Sequence, residues 1–418
     1  MILCIYSSDI AILGAGPAGI AAAITAAREG LDVILIERYG CVGGGLTSMY
    51  VRPFLGSVEN ANIGKEIEQA VKEASSDMSS VEAAKYALTK LLHDAGVRVL
   101  LQSSICSVHT QDRQIDRIEI TTQSGICEVK AKMWLDASGD GVLCTMAGCR
   151  VEVGRDEDGL VQPTSLMFTI EGIEPWQDIL CQHEEDYKQL GDGREYLDLC
   201  HKACASGELP STVNIVRLYS TGYPGERMVN ATQLNRVSSL IPENLFESEY
   251  QLRQQTETIV RFLKNNIPGF ANIRVNGSAT TLGVRESRRV IGDYVLTADD
   301  LIAGRKFDDG VVHNACFCID IHNPAGPGQA VNEEGCPHHA QPYDIPYRCM
   351  TPLGFDNLLT AGRCISGTHE AHASYRVMRI CMGMGFAAAH AAVLALQNNG
   401  NTRNVDIKEL RRRVHIGA

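Results

Sequence analysis

A glycine-rich turn, Gly14-Ala15-Gly16-Pro17-Ala18-Gly19, follows directly on the apolar run Asp9 to Leu13. Each glycine answers a separate steric demand. Gly14 permits a tight turn out of a strand, Gly16 leaves the backbone open to a phosphate, and Gly19 lets the following helix pack close to the strand. Beyond the turn, Ile20 to Glu29 is alanine-rich and stops at Gly30, a residue suited to ending a helix. Val33 to Ile36 is apolar again, and Glu37 closes it. Strand, helix and strand within about 30 residues make one parallel crossover unit. The start of the helix offers N–H groups to a pyrophosphate, and an acid at position 37 can accept both hydroxyls of an adenosine ribose. The turn alone is a weak signal. Its place between strand, helix and Glu37 makes an α/β fold with a dinucleotide ligand the expectation.

The same mixed texture continues to about Cys149. Ile63, Ile67, Ala70, Val71 and Ala74 recur at helical spacing, as do Val81, Ala84, Leu88, Leu91 and Leu92. Val97 to Leu101 reads as a strand. Ile115 to Thr122 and Ile126 to Leu135 read as a hairpin leading into Asp136-Ala137-Ser138-Gly139-Asp140-Gly141. From there to Pro346, strands (Leu166 to Ile170, Val213 to Tyr219) mix with polar helices such as Glu249 to Asn265. Asn357 to Ala361 is a strand again, and Met378 to Leu396 a helix. The expected organisation is a Rossmann-type nucleotide-binding part over 1–150, a mixed α+β substrate domain over 151–346, and a return to the first domain over 347–418. Ile380 to Leu396 is the longest apolar stretch and sits at the lower length limit for crossing a bilayer. Its Gly and Ala content points to a buried helix and not to a membrane anchor.

Composition narrows the partners. The 418 residues are 44% hydrophobic, enough to bury a sizeable core. A net charge of -12 argues against nucleic acid, whose affinity for proteins rests mainly on Lys and Arg. A small-molecule substrate is the expected partner, and a homo-oligomer or a redox partner stays open. The 15 cysteines include no CxxC pair, and Cys316-Phe317-Cys318 and Cys200-x3-Cys204 are poor zinc or iron–sulfur spacings. The first residues carry no charged leader region. Free thiols in a reducing cytoplasm are therefore expected. His338-His339 beside Cys336 reads as an exposed loop, and no metal site is expected.

NAD and FAD both suit the turn, and further motifs separate them. Gly14-Ala15-Gly16-Pro17-Ala18-Gly19-Ile20, with Glu37-Arg38-Tyr39-Gly40-Cys41-Val42-Gly43-Gly44, resembles the FAD-binding start of the FAD-dependent oxidoreductase family that includes the heterodisulfide reductase flavoprotein subunit. Leu135 to Gly141 resembles its second cofactor motif. Val284 to Arg289 and Asp344 to Cys349 are similar to its middle-domain signatures, and Leu359 to Ile365, His369-Glu370 and Arg376 to Met378 to its C-terminal flavin site. The motifs run over almost the whole chain in the family's order. The iron–sulfur cysteines of the heterodisulfide reductase branch have no counterpart.

The resemblance implies a fold like glutathione reductase and para-hydroxybenzoate hydroxylase, with FAD as cofactor. Gly14, Gly16, Pro17, Ala18 and Gly19 would hold the pyrophosphate, Glu37 the ribose, and Arg38 would flank the adenine. Gly43, Gly44 and Gly45 would let the chain pass close to the flavin, and Ile105 would offer its backbone to adenine. Ala137 and Gly139 belong to the second motif. Gly362 and Arg363 would approach the pyrophosphate and ribityl chain, although related folds commonly carry an Asp where Arg363 stands. The N-terminus of the Met378 helix supplies partial positive charge for reduced flavin, and Gly383 and Gly385 near that end would let the ring lie against the backbone.

For chemistry, His369, Glu370, His372, Tyr375 and Arg376 read as a loop ahead of that helix, with His369 as a proton acceptor and Glu370 or Arg376 setting its charge. Arg285 and Arg288, and Arg348 farther on, suit a carboxylate. The leading expectation is hydride transfer between a small polar or anionic substrate and flavin N5. A flavin monooxygenase and a non-catalytic electron-transfer subunit are the alternatives.

Overall fold

The computed structural model describes residues 2–59, 62–76, 80–182, 189–190, 192–328 and 339–414. Cys336 and His338 lie outside these. The first sheet has the strand order β3-β2-β1-β6-β5-β4. Its strands are β1 (Ile2–Leu13), β2 (Val33–Ile36), β3 (Arg98–Leu100), β4 (Ser104–Gln111), β5 (Gln114–Thr122) and β6 (Gly125–Asp136). β1 and β2 pair in parallel from Ile10 with Val33 to Leu13 with Ile36. The helix between them is α1 (Pro17–Arg28), and Pro17 suits its first turn, where an N–H would lack a partner in any case. β1 begins at Ile2, seven residues before the apolar run, because it pairs with β6 along nearly its whole length. β6 serves two further neighbours. Its first half pairs antiparallel with β5, and Trp134, Leu135 and Asp136 pair in parallel with β15 (Leu358–Thr360). A strand from late in the chain thus completes the sheet that the first residues begin.

The second sheet is antiparallel, in the order β11-β8-β10-β9: β8 (Phe168–Glu171), β9 (Arg217–Ser220), β10 (Glu226–Asn230) and β11 (Arg274–Ser278). Phe168, Ile170 and Leu218 from it share a core with Tyr196 of α5 (Tyr196–Ser206) and Phe262 of α6 (Pro242–Asn266). α6 starts at Pro242, seven residues before the polar run at Glu249, again with proline in the first turn. Two short antiparallel pairs form sheets of their own: β7 (Val151–Val153) with β12 (Arg288–Val290), and β13 (Gly310–Ala315) with β14 (Tyr343–Pro346). The remaining helices are α2 (Asn62–Ala74), α3 (Ser80–Asp94), α4 (Val142–Ala147), α7 (Ala298–Ile302), α8 (His369–Tyr375), α9 (Met378–Gln397) and α10 (Ile407–Arg413).

α9 is long and apolar enough to cross a membrane, yet most of it is buried inside the fold. It lies against α1 so closely that a Cβ on Gly385 would stand 2.0 Å from the Ala18 carbonyl oxygen. Gly383 meets Val312 and Val58 side chains, at 3.3 Å and beyond. Gly385 therefore serves the contact of α9 with α1, and Gly383 packs toward Val312 of β13 and Val58; both lie off the cavity wall, which corrects the expectation that they face the flavin.

The expectation of free thiols throughout is also corrected at one place. Cys4 and Cys127 are register partners on neighbouring strands β1 and β6, with Cα atoms 4.9 Å apart, and form a disulfide. Their separation of 123 residues hid the pairing from the sequence.

Ala at position 385 would press on backbone that cannot yield, so Gly385→Ala is expected to lower stability by about 2–3 kcal/mol. Gly383→Ala is expected to be near neutral, because about 1 kcal/mol of helix propensity offsets a small shift of Val312. Denaturant unfolding of the two variants measures the contrast.

Candidate functional site

A cavity of about 570 Å³ runs from the glycine turn to the second sheet, within the usual range for a small-molecule site. Gly14, Gly16, Pro17 and Ala18 line it where β1 gives way to α1, and Glu37 and Arg38 line it at the end of β2. Gly44, Gly45, Ile105, Ala137, Gly139, Gly362 and Arg363 also form its wall. Gly19 sits behind the turn, where a Cβ would fall 1.9 Å from the Gly14 carbonyl oxygen. Gly14 has φ +99°, and its missing Cβ would strike the Ala137 oxygen at 2.6 Å, so the first and second cofactor motifs abut. Gly16 is different: a Cβ there meets nothing within 4 Å. This is the open approach a pyrophosphate needs.

Glu37 is 4% exposed. One carboxylate oxygen accepts the Ala15 N–H at 2.7 Å and the other the Tyr39 N–H at 2.9 Å. These bonds orient the group and leave lone pairs for ribose hydroxyls. Arg38 stacks over Tyr39 and reaches Asp140 at 3.1 Å. Asp140 also takes Arg363 at 3.2 Å and the Ser287 hydroxyl at 2.8 Å. Burial opposes the charge on Asp140, but Arg363 and Arg38 outweigh it and hold the carboxyl below its usual range. Arg363 crosses where Gly139 lacks a side chain and donates to the Val284 carbonyl, tying the nucleotide-binding part to the middle of the chain. At the far side Val377, Met378 and Cys381 place the N-terminus of α9 on the cavity. The Val377 side chain makes no cap, so the positive end of the helix is turned to the ligand space.

The expected proton-transfer set takes a different form. His369 to Tyr375 is not a loop but helix α8, capped by the Thr368 hydroxyl accepting the Ala371 N–H. His369, Glu370, His372 and Tyr375 all lie off the cavity wall. His369 is buried with its Nδ1 2.8 Å from Glu286, which also pairs with the fully buried Arg289. Glu370 is half-buried. The Tyr375 hydroxyl donates to the Ile365 carbonyl at 3.1 Å, and its ring meets His372 edge-on. Burial, with Arg376 and Arg289 adding to it, pushes His372 well below its ordinary pKa. A seven-residue helix packed against the core turns these groups inward. Arg376, directly after it, does line the cavity.

Among the expected substrate arginines, Arg285 lines the cavity and donates to the Pro163 carbonyl at 2.7 Å. Arg288 reaches the Asp140 carbonyl at 3.3 Å, off the cavity wall. Arg348 pairs with Asp309 at 2.9 Å beside Tyr294, also off it.

Residues that the sequence reading passed over complete the wall. Arg217 and Tyr219 come from β9, Asn230 from β10, and Cys318, Asp320 and His322 from the stretch after β13. Arg376 binds Asp320 at 3.1 Å, and His322 Nε2 lies 3.6 Å from the same oxygen. Burial works against charge on Asp320, yet His322, Arg376 and Arg285 hold it far below the ordinary carboxylate range. Burial and then Arg285 push His322 down to about 4. Burial and Arg376 lower Arg285 to about 10. The alternation Cys316, Cys318, Asp320, His322 is the signal that could have found them, since every second residue of an extended chain shares a side.

Fold and cavity together define a flavin-binding oxidoreductase, and the family comparison agrees. Residues 9–414 match the FAD dependent oxidoreductase family; the chain belongs to it, and FAD is its cofactor. Two relatives, both digeranylgeranylglycerophospholipid reductase 1, come from Methanococcoides burtonii and Methanopyrus kandleri, at 25% and 27% identity over 152 residues. The match covers 31% of this chain and only 37% and 39% of theirs. Among solved structures, a geranylgeranyl bacteriochlorophyll reductase-like protein from Thermoplasma acidophilum aligns with TM-score 0.51 and 14% identity, over 98% of this chain and 83% of that one. A p-nitrophenol 4-monooxygenase from Pseudomonas putida aligns with TM-score 0.51 and 9% identity, over 98% and 85%. At these identities the likeness concerns the fold.

Two outcomes are expected. Gly16→Leu should yield protein without FAD, because the side chain would take the phosphate's space; absorption of the purified variant reports this. The second concerns pH. His322 and His372 both titrate below the ordinary value of 6.5 when folded. The stability they contribute is present above about pH 6.5 and is lost as pH falls, because the unfolded chain takes up protons that the native one refuses. The thermal midpoint should therefore drop between about pH 6.5 and pH 4.5, and His372→Gln should flatten that slope.

Proposed function

We propose that the enzyme moves a hydride between a small anionic substrate and FAD, with the anion held by Arg285 and Arg376. The observation that carries this reading is that Arg285 and Arg376 line the cavity beside Asp320, with Arg217 on the same wall. Arg285 and Arg376 both reach the cavity, and guanidinium geometry favours a carboxylate. FAD supplies the two-electron chemistry, exchanging hydride at its N5 position. Gly14, Gly16, Glu37, Gly44 and Gly362 would hold it, and the N-terminus of α9 would favour the charge of its reduced form. The remaining work falls to the chain: Arg285 and Arg376 bind and orient the substrate, Tyr219 and Asn230 offer hydrogen bonds from the second sheet, and Phe317 and Met167 limit water.

Titration of the yellow holoprotein with acetate, benzoate and oxalate, read through flavin absorption, tests the anion site. A saturable change is expected. Arg285→Ala should weaken it by roughly 10–100-fold, the effect of losing a hydrogen bond to a charged group. If no carboxylate perturbs the flavin, or if the variant binds as well as the wild type, the proposal fails.

A further inference from the structure

Whether His322 can hold a proton depends on the charges around it. It lines the cavity with 16% of its side chain accessible. The groups that face this space come from several elements: Cys318 and Asp320 from its own stretch, Arg285 ahead of β12, Arg376 after α8, and Arg217 and Tyr219 from β9. Asp320 attracts a proton to the ring, but its charge is shared with Arg376 at 3.1 Å. Arg285 and Arg376 repel a further cation. With burial acting in the same direction, the ring is neutral at physiological pH when no anion is bound.

We propose that a substrate anion seated on Arg285 and Arg376 raises the proton affinity of His322, which becomes the proton acceptor of the loaded site. The geometry carries the idea, because both guanidinium groups line the same cavity as the ring. An added charge within ~4–6 Å moves a neighbour's pKa by roughly 1–3. The inference rests on the anion reading above and narrows the substrate class to an anion bearing a hydroxyl on the carbon that gives up hydride. The C–H bond breaks and its electron pair leaves with the hydrogen to FAD. The O–H electrons form the carbonyl double bond, and the released proton goes to the His322 ring. Substrate is oxidised and FAD is reduced by two electrons. The imidazolium then lies beside Asp320 and the substrate's own charge. In this arrangement, neutral molecules that enter the cavity leave the base inactive, so binding and proton transfer select for the same charge.

The groups nearest the ring titrate outside this window. Burial raises Cys318 to about 11 and also raises Tyr219, while Asp320 is held far below its usual range. His372, buried one turn ahead of Arg376, serves as the control.

The oxidised holoprotein is titrated with methanesulfonate, a monoanion throughout the window. Binding is followed by flavin absorption and by calorimetry in two buffers of different ionisation heat. Uptake approaching one proton per anion is expected, with Kd rising up to tenfold per pH unit between about pH 4 and 6.5. His322→Gln should bind the anion with no proton uptake and a flat pH profile, and His372→Gln should keep the wild-type profile. Arg285→Gln, at saturating anion, should show reduced uptake although His322 is present, because the ring in its empty site is already easier to protonate. Anion binding without proton uptake in the wild type, or uptake that persists in His322→Gln, overturns the proposal. Failure of methanesulfonate to bind the wild type at all overturns the anion reading instead.

Discussion

Backbone touches backbone at the glycine turn, and the rest of the molecule is arranged around that contact. Gly19 leaves room for the Gly14 carbonyl, Gly14 for the Ala137 carbonyl, and Gly385 for the path of α1 at Ala18. Segments at residues 14–19, at residue 137 and at residue 385 therefore meet in close contact. A side chain at any of these points would separate layers that are otherwise packed without gaps. The clearance at Gly16 is the one left open, and the cavity begins there.

From that junction the site is assembled by charge. Asp140 holds Arg38 on one side and Arg363 on the other, and Ser287 from the middle of the chain binds the same carboxylate. A single half-buried acid thereby ties the nucleotide-binding part to the segment that leads into β12. Farther along the cavity, Asp320 plays the corresponding part for Arg376 and His322. The difference lies in their place. Asp140 lies off the cavity wall among partners that close the structure, whereas Asp320 lines the cavity itself.

The buried His369–Glu286–Arg289 group shows why residue type alone misleads. A histidine, a glutamate and an arginine close in space suggest acid–base chemistry. Here each is nearly inaccessible, and Arg289 also donates to the Gly367 and Gly154 carbonyls. Such a network satisfies backbone groups that burial would otherwise leave unpaired. It fixes the segment ahead of β12 from which Arg285 enters the cavity, but its own members lie off the cavity wall.

The sequence by itself determined the nucleotide-binding half: the β1–α1–β2 unit, the tight turn at Gly14 and the close packing at Gly19, Glu37 at the end of β2, and α9 as a buried helix. These follow from local sterics and short-range periodicity, which a linear reading contains. It also carried Arg285 and Arg376, through motifs shared with a family. What only the tertiary structure decided was which polar groups face the cavity. Whether α8 turns His369 and His372 toward ligand or core depends on the packing of a seven-residue helix, and so many side chains compete for that space that no short spacing encodes the outcome. Asp320 and His322 become neighbours of Arg285 and Arg376 only because an extended stretch after β13 runs beside the end of α8. Cys4 and Cys127 meet only because β1 and β6 pair in register. In each case the contact joins residues far apart in the chain, and its energy exists only once the layers between them have packed.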